Sequence, residues 1–260
     1  MPGLMTGKRG LIMGVANDKS IAYGIAKAVA EAGAELAFTY QNDMMAKRVL
    51  PLAEGLGSTI TMANDVSVDG AADQVVSTLQ DHWDRVDFVV HALAFADKAA
   101  LTGAYMDVQR QAFLDSMLIS AFSFTEIARA IRPMMTDGGS LITLTYLGAN
   151  RITPNYNVMG VAKAALEASV RYLAVDLGRD GIRVNGLSAG PVKTLAGAAI
   201  GGARHVFRHS ETHAPLGRNP DMHEVGRAGL YLTSDLSSGV TGEIHYVDGG
   251  YHHIGVPRDE

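Results

Sequence analysis

The sequence predicts an α/β fold built on one doubly wound parallel sheet. Short β-rich runs alternate with longer helix-like stretches along the whole 260-residue chain. That alternation produces parallel strands covered on both faces by crossover helices. Gly (29 residues) and Ala are abundant, which suits close packing of helices on a sheet, and a hydrophobic fraction of 47 % supplies a sizeable core.

The elements follow in order. Residues 9–13 read as the first strand, leading through a glycine turn into a helical stretch at 22–32. Residues 35–40 and 59–63 read as the second and third strands, with a helix over 71–82. A fourth strand at 86–91 precedes a helical stretch over 109–134. A fifth at 140–145 precedes a helix at 155–177, which Gly178 is placed to stop. Strands at 182–187 and 243–247 complete seven. No Pro/Ser-rich linker, repeat or low-complexity tract interrupts the chain, so residues 1–260 read as a single Rossmann-type domain. Such sheets bind ligands at the carboxyl ends of their strands. Here those positions are Gly14, Gln41, Asp65-Val66, Ala92-Leu93-Ala94, Thr145-Tyr146 and the segment 188–196.

Composition excludes several chemistries. Cys is absent, which removes disulfides, thiolate catalysis and Cys-ligated zinc. The net charge of −5, with acids and bases interspersed, argues against nucleic-acid binding. No apolar run reaches the roughly 18 residues that span a membrane, and residues 1–8 lack the pattern of a signal peptide. The nine histidines show no metal-binding pattern; His252 and His253, if on a strand, would point apart. No Gly-x-Ser-x-Gly elbow supports a Ser-His-Asp triad.

The first strand runs into Gly14-Val15-Ala16-Asn17-Asp18-Lys19-Ser20-Ile21-Ala22-Tyr23-Gly24. A glycine lets the backbone approach a phosphate, and the helix amino terminus offers free N–H groups and a positive dipole end. Ser20 is placed to cap that helix or to donate to a phosphate. The loop is longer than Gly-x-Gly-x-x-Gly and lacks one glycine. At the end of the second strand stands Gln41, with no base beside it for a 2′-phosphate, which favours NADH over NADPH. Asp65 is placed to accept from the adenine amino group, to cap the helix that begins nearby, or to do both. Tyr156 precedes Lys163 by seven residues. At about 100° per residue they return to nearly the same helix face. A phenol can hydrogen-bond an oxygen that is becoming negative, and an ammonium can stabilise that charge and hold sugar hydroxyls. Tyr146 follows the fifth strand and can reach the same place or be a half-buried core phenol. The small, apolar, glycine-rich stretch 195–203 reads as a substrate lid extending to about residue 210, or as a plain loop. Arg204, His205, Arg208 and His209 just beyond form a basic patch, either solvated or facing an acidic partner.

Together these residues resemble the short-chain dehydrogenase/reductases, and more narrowly the bacterial NADH-dependent enoyl-acyl-carrier-protein reductases. The most specific segments are Ser20-Ile21-Ala22-Tyr23-Gly24-Ile25-Ala26, Ala34-Glu35-Leu36-Ala37-Phe38-Thr39-Tyr40-Gln41, Pro154 through Lys163, and Ser188-Ala189-Gly190-Pro191. The wider superfamily spaces its Tyr and Lys by four; seven marks the enoyl reductase branch. The resemblance implies that Tyr146, Tyr156 and Lys163 are catalytic. It implies that Gly14, Ser20, Ile21, Gln41, Asp65, Val66, Leu93, Lys163, Val192, Lys193, Thr194, Leu195 and Ala196 bind NADH, and that Ala96 contacts substrate. It further implies a cytoplasmic homotetramer acting on enoyl thioesters of acyl carrier protein. Ala92 departs from the serine common in the family, and Gly201 and His205 replace lysines of some relatives. The competing readings are a carbonyl reductase or alcohol dehydrogenase of the same superfamily, or a protein that binds NADH without turnover. Met159 rather than Tyr at four before Lys163 weighs against the first.

Overall fold

The computed structural model describes residues 3–194 and 202–256. Its strands are β1 (Arg9–Met13), β2 (Glu35–Tyr40), β3 (Ile60–Ala63), β4 (Phe88–His91), β5 (Gly139–Thr145), β6 (Ile182–Ala189) and β7 (Ile244–Val247). They form one sheet in the order β3-β2-β1-β4-β5-β6-β7, and every adjacent pair is parallel. The helices are α1 (Ile21–Glu31), α2 (Asp43–Gly55), α3 (Ala71–Gln80), α4 (Arg110–Met117), α5 (Ser123–Ile131), α6 (Asn157–Leu177), α7 (Ala203–His213) and α8 (Met222–Thr233).

Alternation along the strands divides the core. Leu11 and Met13 enter a cluster with Val75 and Leu79 of α3, Phe124 and Ile127 of α5, and Leu166 and Val170 of α6. Ile12 lies between them and enters the opposite cluster, with Ile25 and Val29 of α1 and Val225 and Leu232 of α8. Both faces of the sheet are therefore covered, as predicted. Strand β1 has β2 on one side and β4 on the other, so the chain reverses its direction of travel there. This is the place where a doubly wound sheet opens a crevice at its carboxyl edge.

Three element boundaries differ from expectation, each for a local reason. The stretch 109–134 is not one regular helix: a π turn at Leu118–Phe122 separates α4 from α5. Serines there compete with helical bonding. Ser120 Oγ accepts from Phe95 N at 2.9 Å and donates to Phe95 O at 3.1 Å, tying the loop after β4 to the helix. Helix α6 starts at Asn157, so Tyr156 is its N-cap and not an interior residue. Asn155 and Asn157 on either side have positive φ of 60° and 36°, a conformation that asparagine tolerates better than most side chains. At the other end Gly178 stays helical at φ −61°, and the left-handed stop is Gly181 at φ 72°, after a 3-10 turn.

Candidate active site

The predicted cofactor residues line the carboxyl edge from β3 to β6. Gly14 follows β1 with φ 99°, and a Cβ there would run into the Ala92 carbonyl beyond β4. The glycine thus lets the ends of two strands close together, a steric demand independent of any phosphate. Ser20 occupies the N-cap of α1, yet its side chain makes no cap bond. Its Oγ accepts instead from Ala16 N and Asn17 N, both at 3.0 Å, and so folds the loop back on itself. The helix amides that begin with Ile21 are left without intrahelical partners. Gln41 Nε2 donates to Asp65 Oδ2 at 3.3 Å, which joins the ends of β2 and β3. Asp65 caps no helix, because α3 takes Gly70 as its N-cap. Its Oδ1 accepts from Ser67 Oγ and N, and these bonds, with Gln41, hold its carboxyl below the usual range. Beside it the Asn64 amide is buried with neither Nδ2 nor Oδ1 bonded. Val66 and Leu93 are half-buried against the core. Val192 packs on the opposite cluster, and Lys193 Nζ lies 5.2 Å from the centroid of the Phe207 ring. A cavity of about 340 Å³ lined by Lys19, Val192, Lys193 and Phe207 joins the loop after β1 to the segment after β6. Thr194 is half-buried. Leu195 and Ala196 lie outside the described residues, as does Gly201.

The catalytic candidates gather at the end of β5. Lys163 is 5 % exposed and its Nζ donates to Leu144 O at 2.7 Å. Tyr146 follows Thr145, the last residue of β5. Its ring meets the Tyr156 ring edge to face, with centroids 5.2 Å apart. Gly148 makes that packing possible, since a Cβ there would lie 2.5 Å from the Tyr156 ring and 3.1 Å from that of Tyr146. Tyr156 belongs to a small apolar cluster with Leu101, Val158 and Met159, and Tyr146 and Ala96 pack against it. Burial fixes the charge states. It pushes the Tyr156 phenol far above its ordinary value, helped by Tyr146 and Glu167, and it raises the Tyr146 phenol too, against a hydrogen bond with Thr153. The same burial pulls the Lys163 ammonium down to about 8, while Glu167 opposes the fall.

Sequence reasoning missed two buried titratable groups here. Glu167, one turn after Lys163, is 4 % exposed. Its Oε1 accepts from Thr145 Oγ1 at 2.8 Å and its Oε2 from Asn150 Nδ2 at 2.9 Å. His91, at the end of β4, is fully buried between Thr143 and Ser123. Ser123 Oγ donates to Ile119 O and is left to accept from His91 Nε2. Burial, then the Lys163 charge, push its pKa down to about 3, so the imidazole is neutral. A buried polar side chain leaves little mark on a sequence, and an acid four residues after a lysine looks like a solvated helix pair.

Other expectations end differently. His252 and His253 are on a 3-10 turn and not a strand, and their rings touch at 3.8 Å between centroids. Asp248 anchors that turn by accepting from Gly250 N and His252 N. Among the described residues no group of three or more His, Asp or Glu side chains is placed to hold a metal. The basic patch is on α7, where Arg204, His205 and Arg208 are exposed.

Comparison with known proteins shows the family. The family model described as enoyl-(acyl carrier protein) reductase matches residues 14–252. A Rhizobium meliloti protein named enoyl-(acyl-carrier-protein) reductase (NADH) 1 is 59 % identical over 254 residues, covering 98 % of this chain and 93 % of its own. The crystal structure of FabI from Candidatus Liberibacter asiaticus superposes with a TM-score of 0.97 at 49 % identity, over 99 % of this chain and 100 % of that one. The reductase of Anaplasma phagocytophilum, solved in complex with NAD, gives 0.96 at 52 % identity, over 100 % and 99 %.

Proposed function

This chain belongs to the enoyl-(acyl carrier protein) reductase family, and on that premise we propose how its own residues carry the reaction. The enzyme reduces the trans-2 double bond of enoyl-acyl-carrier-protein thioesters with NADH, the last reductive step of fatty acid elongation. Its residues fit that cofactor. The free amides at the start of α1 suit a pyrophosphate, the Gln41–Asp65 pair with the unbonded Asn64 amide suits the adenosine end, and Lys163 suits a ribose. When bound, NADH would supply hydride to the β-carbon of the enoyl thioester, leaving charge on the thioester oxygen until a proton taken up at the α-carbon completes the saturated product.

Tyr156 Oη donates a hydrogen bond to that oxygen as it becomes negative, a preorganised contact in a water-poor place. Its raised pKa keeps the proton on the phenol in the resting enzyme. Lys163 holds the nicotinamide ribose and adds positive potential; with a pKa of about 8 it is mostly charged at neutral pH and loses that charge as pH rises. Tyr146 braces the Tyr156 ring, and the apolar cluster around Ala96 excludes water from the acyl chain. The observation that carries this reading is the gathering of Lys163, Tyr146 and Tyr156 on one end of β5.

The rest of the proposal is coarser in support. The chain is one domain whose helix α7 presents Arg204 and Arg208 to the acidic carrier protein; of the substrate lid expected around 195–210, residues 195–201 lie outside the described residues. It assembles as a homotetramer, a reading supported by Tyr172 and Val175 of α6, which are 76 % and 79 % exposed. It works in the cytoplasm; no described helix is long and apolar enough to cross a membrane. A carbonyl reductase is disfavoured by Met159, buried and apolar at the position where a catalytic tyrosine would stand. The test is NADH oxidation with crotonyl thioester against a panel of ketones. Turnover of the thioester alone is expected; ketone turnover would favour the carbonyl reductase, and binding without any oxidation would favour a cofactor sensor.

A further inference from the structure

The mechanism leaves unused a carboxylate that is costly to bury. Glu167 is one helical turn beyond Lys163, almost without solvent contact, and no ion pair within 4.0 Å joins the two among the described residues. A buried carboxylate needs hydrogen-bond donors to replace its lost hydration. Thr145 Oγ1 and Asn150 Nδ2 donate to its two oxygens, and Asn150 Nδ2 is also 3.2 Å from Tyr246 Oη. The adjoining residue of β5, Leu144, accepts from Lys163 Nζ. Two successive residues of one strand thus hold the ammonium and the carboxylate at a fixed separation. The other titratable groups around them are neutral. They are His91 from β4, Tyr146 just after β5, Tyr156 at the start of α6 and Tyr246 from β7.

We propose that Glu167 is a positioning residue for Lys163: its clamped, buried carboxylate keeps the lysine charged in a place where burial alone would discharge it. The inference rests on the role given to Lys163 above. The two groups make no direct contact and interact through the field of the carboxylate, so the interaction survives the movement of Lys163 Nζ from Leu144 O to a ribose hydroxyl. The clamp also explains why Glu167 does not swing over and pair with the lysine, which would take Nζ out of the crevice.

The test is the dissociation constant of NADH, measured from pH 6 to pH 9.5 on the full-length protein. Wild type should weaken as pH rises through about 8, where Lys163 loses its proton. Lys163→Arg, whose charge does not titrate in this range, should flatten that limb. Glu167→Gln should move the limb to lower pH by about one unit, and its affinity should return to within about twofold of wild type at pH 6. Glu167→Asp, which keeps the charge, should leave the limb nearer its wild-type place. If Glu167→Gln does not fold, Glu167→Met fills the volume without the charge and should show the same displacement. A packing role would weaken binding equally at every pH, and that result would overturn the inference. A wild-type limb that Lys163→Arg leaves unaltered would instead overturn the role of Lys163 itself.

Discussion

Tyr156 depends on the residues that hold its ring. Its ring has Tyr146 on one side and Gly148 on another, and a methyl group at Gly148 would press on both tyrosines. Gly148→Ala is therefore expected to lower kcat by about 10²-fold, the scale of a displacement near 1 Å at a reacting group, with NADH affinity little altered. Steady-state kinetics with direct cofactor titration checks this; wild-type kcat would mean that the ring is not held by that contact. The residue scale also shows what a sequence hides. Tyr156, Lys163 and Gln41 stand out as candidates because of their spacing and strand-end positions, and the fold sets them at the carboxyl edge. Glu167 is not, because Lys163-Ala164-Ala165-Leu166-Glu167 has the form of a surface ion pair. Only the three-dimensional burial of α6 against β5 turns it into a buried charge. Ser20 shows the converse: its type suits a helix cap, but the loop amides of Ala16 and Asn17 reach its oxygen first.

Among the elements, α7 carries an unusual stripe. His205, His209 and His213 recur every four residues on one face, with ring centroids 6.1 and 4.3 Å apart, and His209 also meets Tyr251 at 5.9 Å. Burial and the other two histidines depress the pKa of His209 below 6.5, so folding favours its neutral form. The sign follows: protonation favours the unfolded helix, and stability is lost as pH falls below 6.5. Amide hydrogen exchange across residues 203–213, corrected for intrinsic rates, should be faster at pH 5.5 than at pH 7.5. Equal protection at both values would show that the stripe does not couple to the helix. The strands were the most legible elements, since each apolar β-rich run was long enough to cross a covered sheet. Helix ends were less so. The start of α6 is set by two left-handed asparagines, and the break before α5 by Ser120 and Ser123, whose hydroxyls bond Phe95 and His91 outside the helix. Helix α8 escaped notice although Asp221 and Glu224 form a capping box at its start.

At the scale of the whole molecule, charge bears on the proposed partner. The protein carries a net charge of −5, which by itself would repel an acidic carrier. The local basic surface on α7 would offset this on the proposed docking face, and such complementarity acts mainly on encounter. Arg204→Glu combined with Arg208→Glu should raise KM for carrier-protein thioesters by about tenfold or more at low salt. The difference should shrink as salt screens the field, while small thioesters keep wild-type KM. Equal effects on both substrates would remove α7 as the docking surface. In the proposed mechanism a neutral phenol meets charge that develops at the transition state, and one comparison tests that most directly: kcat of Tyr156→Phe against wild type with crotonyl thioester at saturating NADH. A fall of roughly 10- to 10³-fold is predicted, with NADH affinity retained, whereas turnover at the wild-type rate would contradict the account.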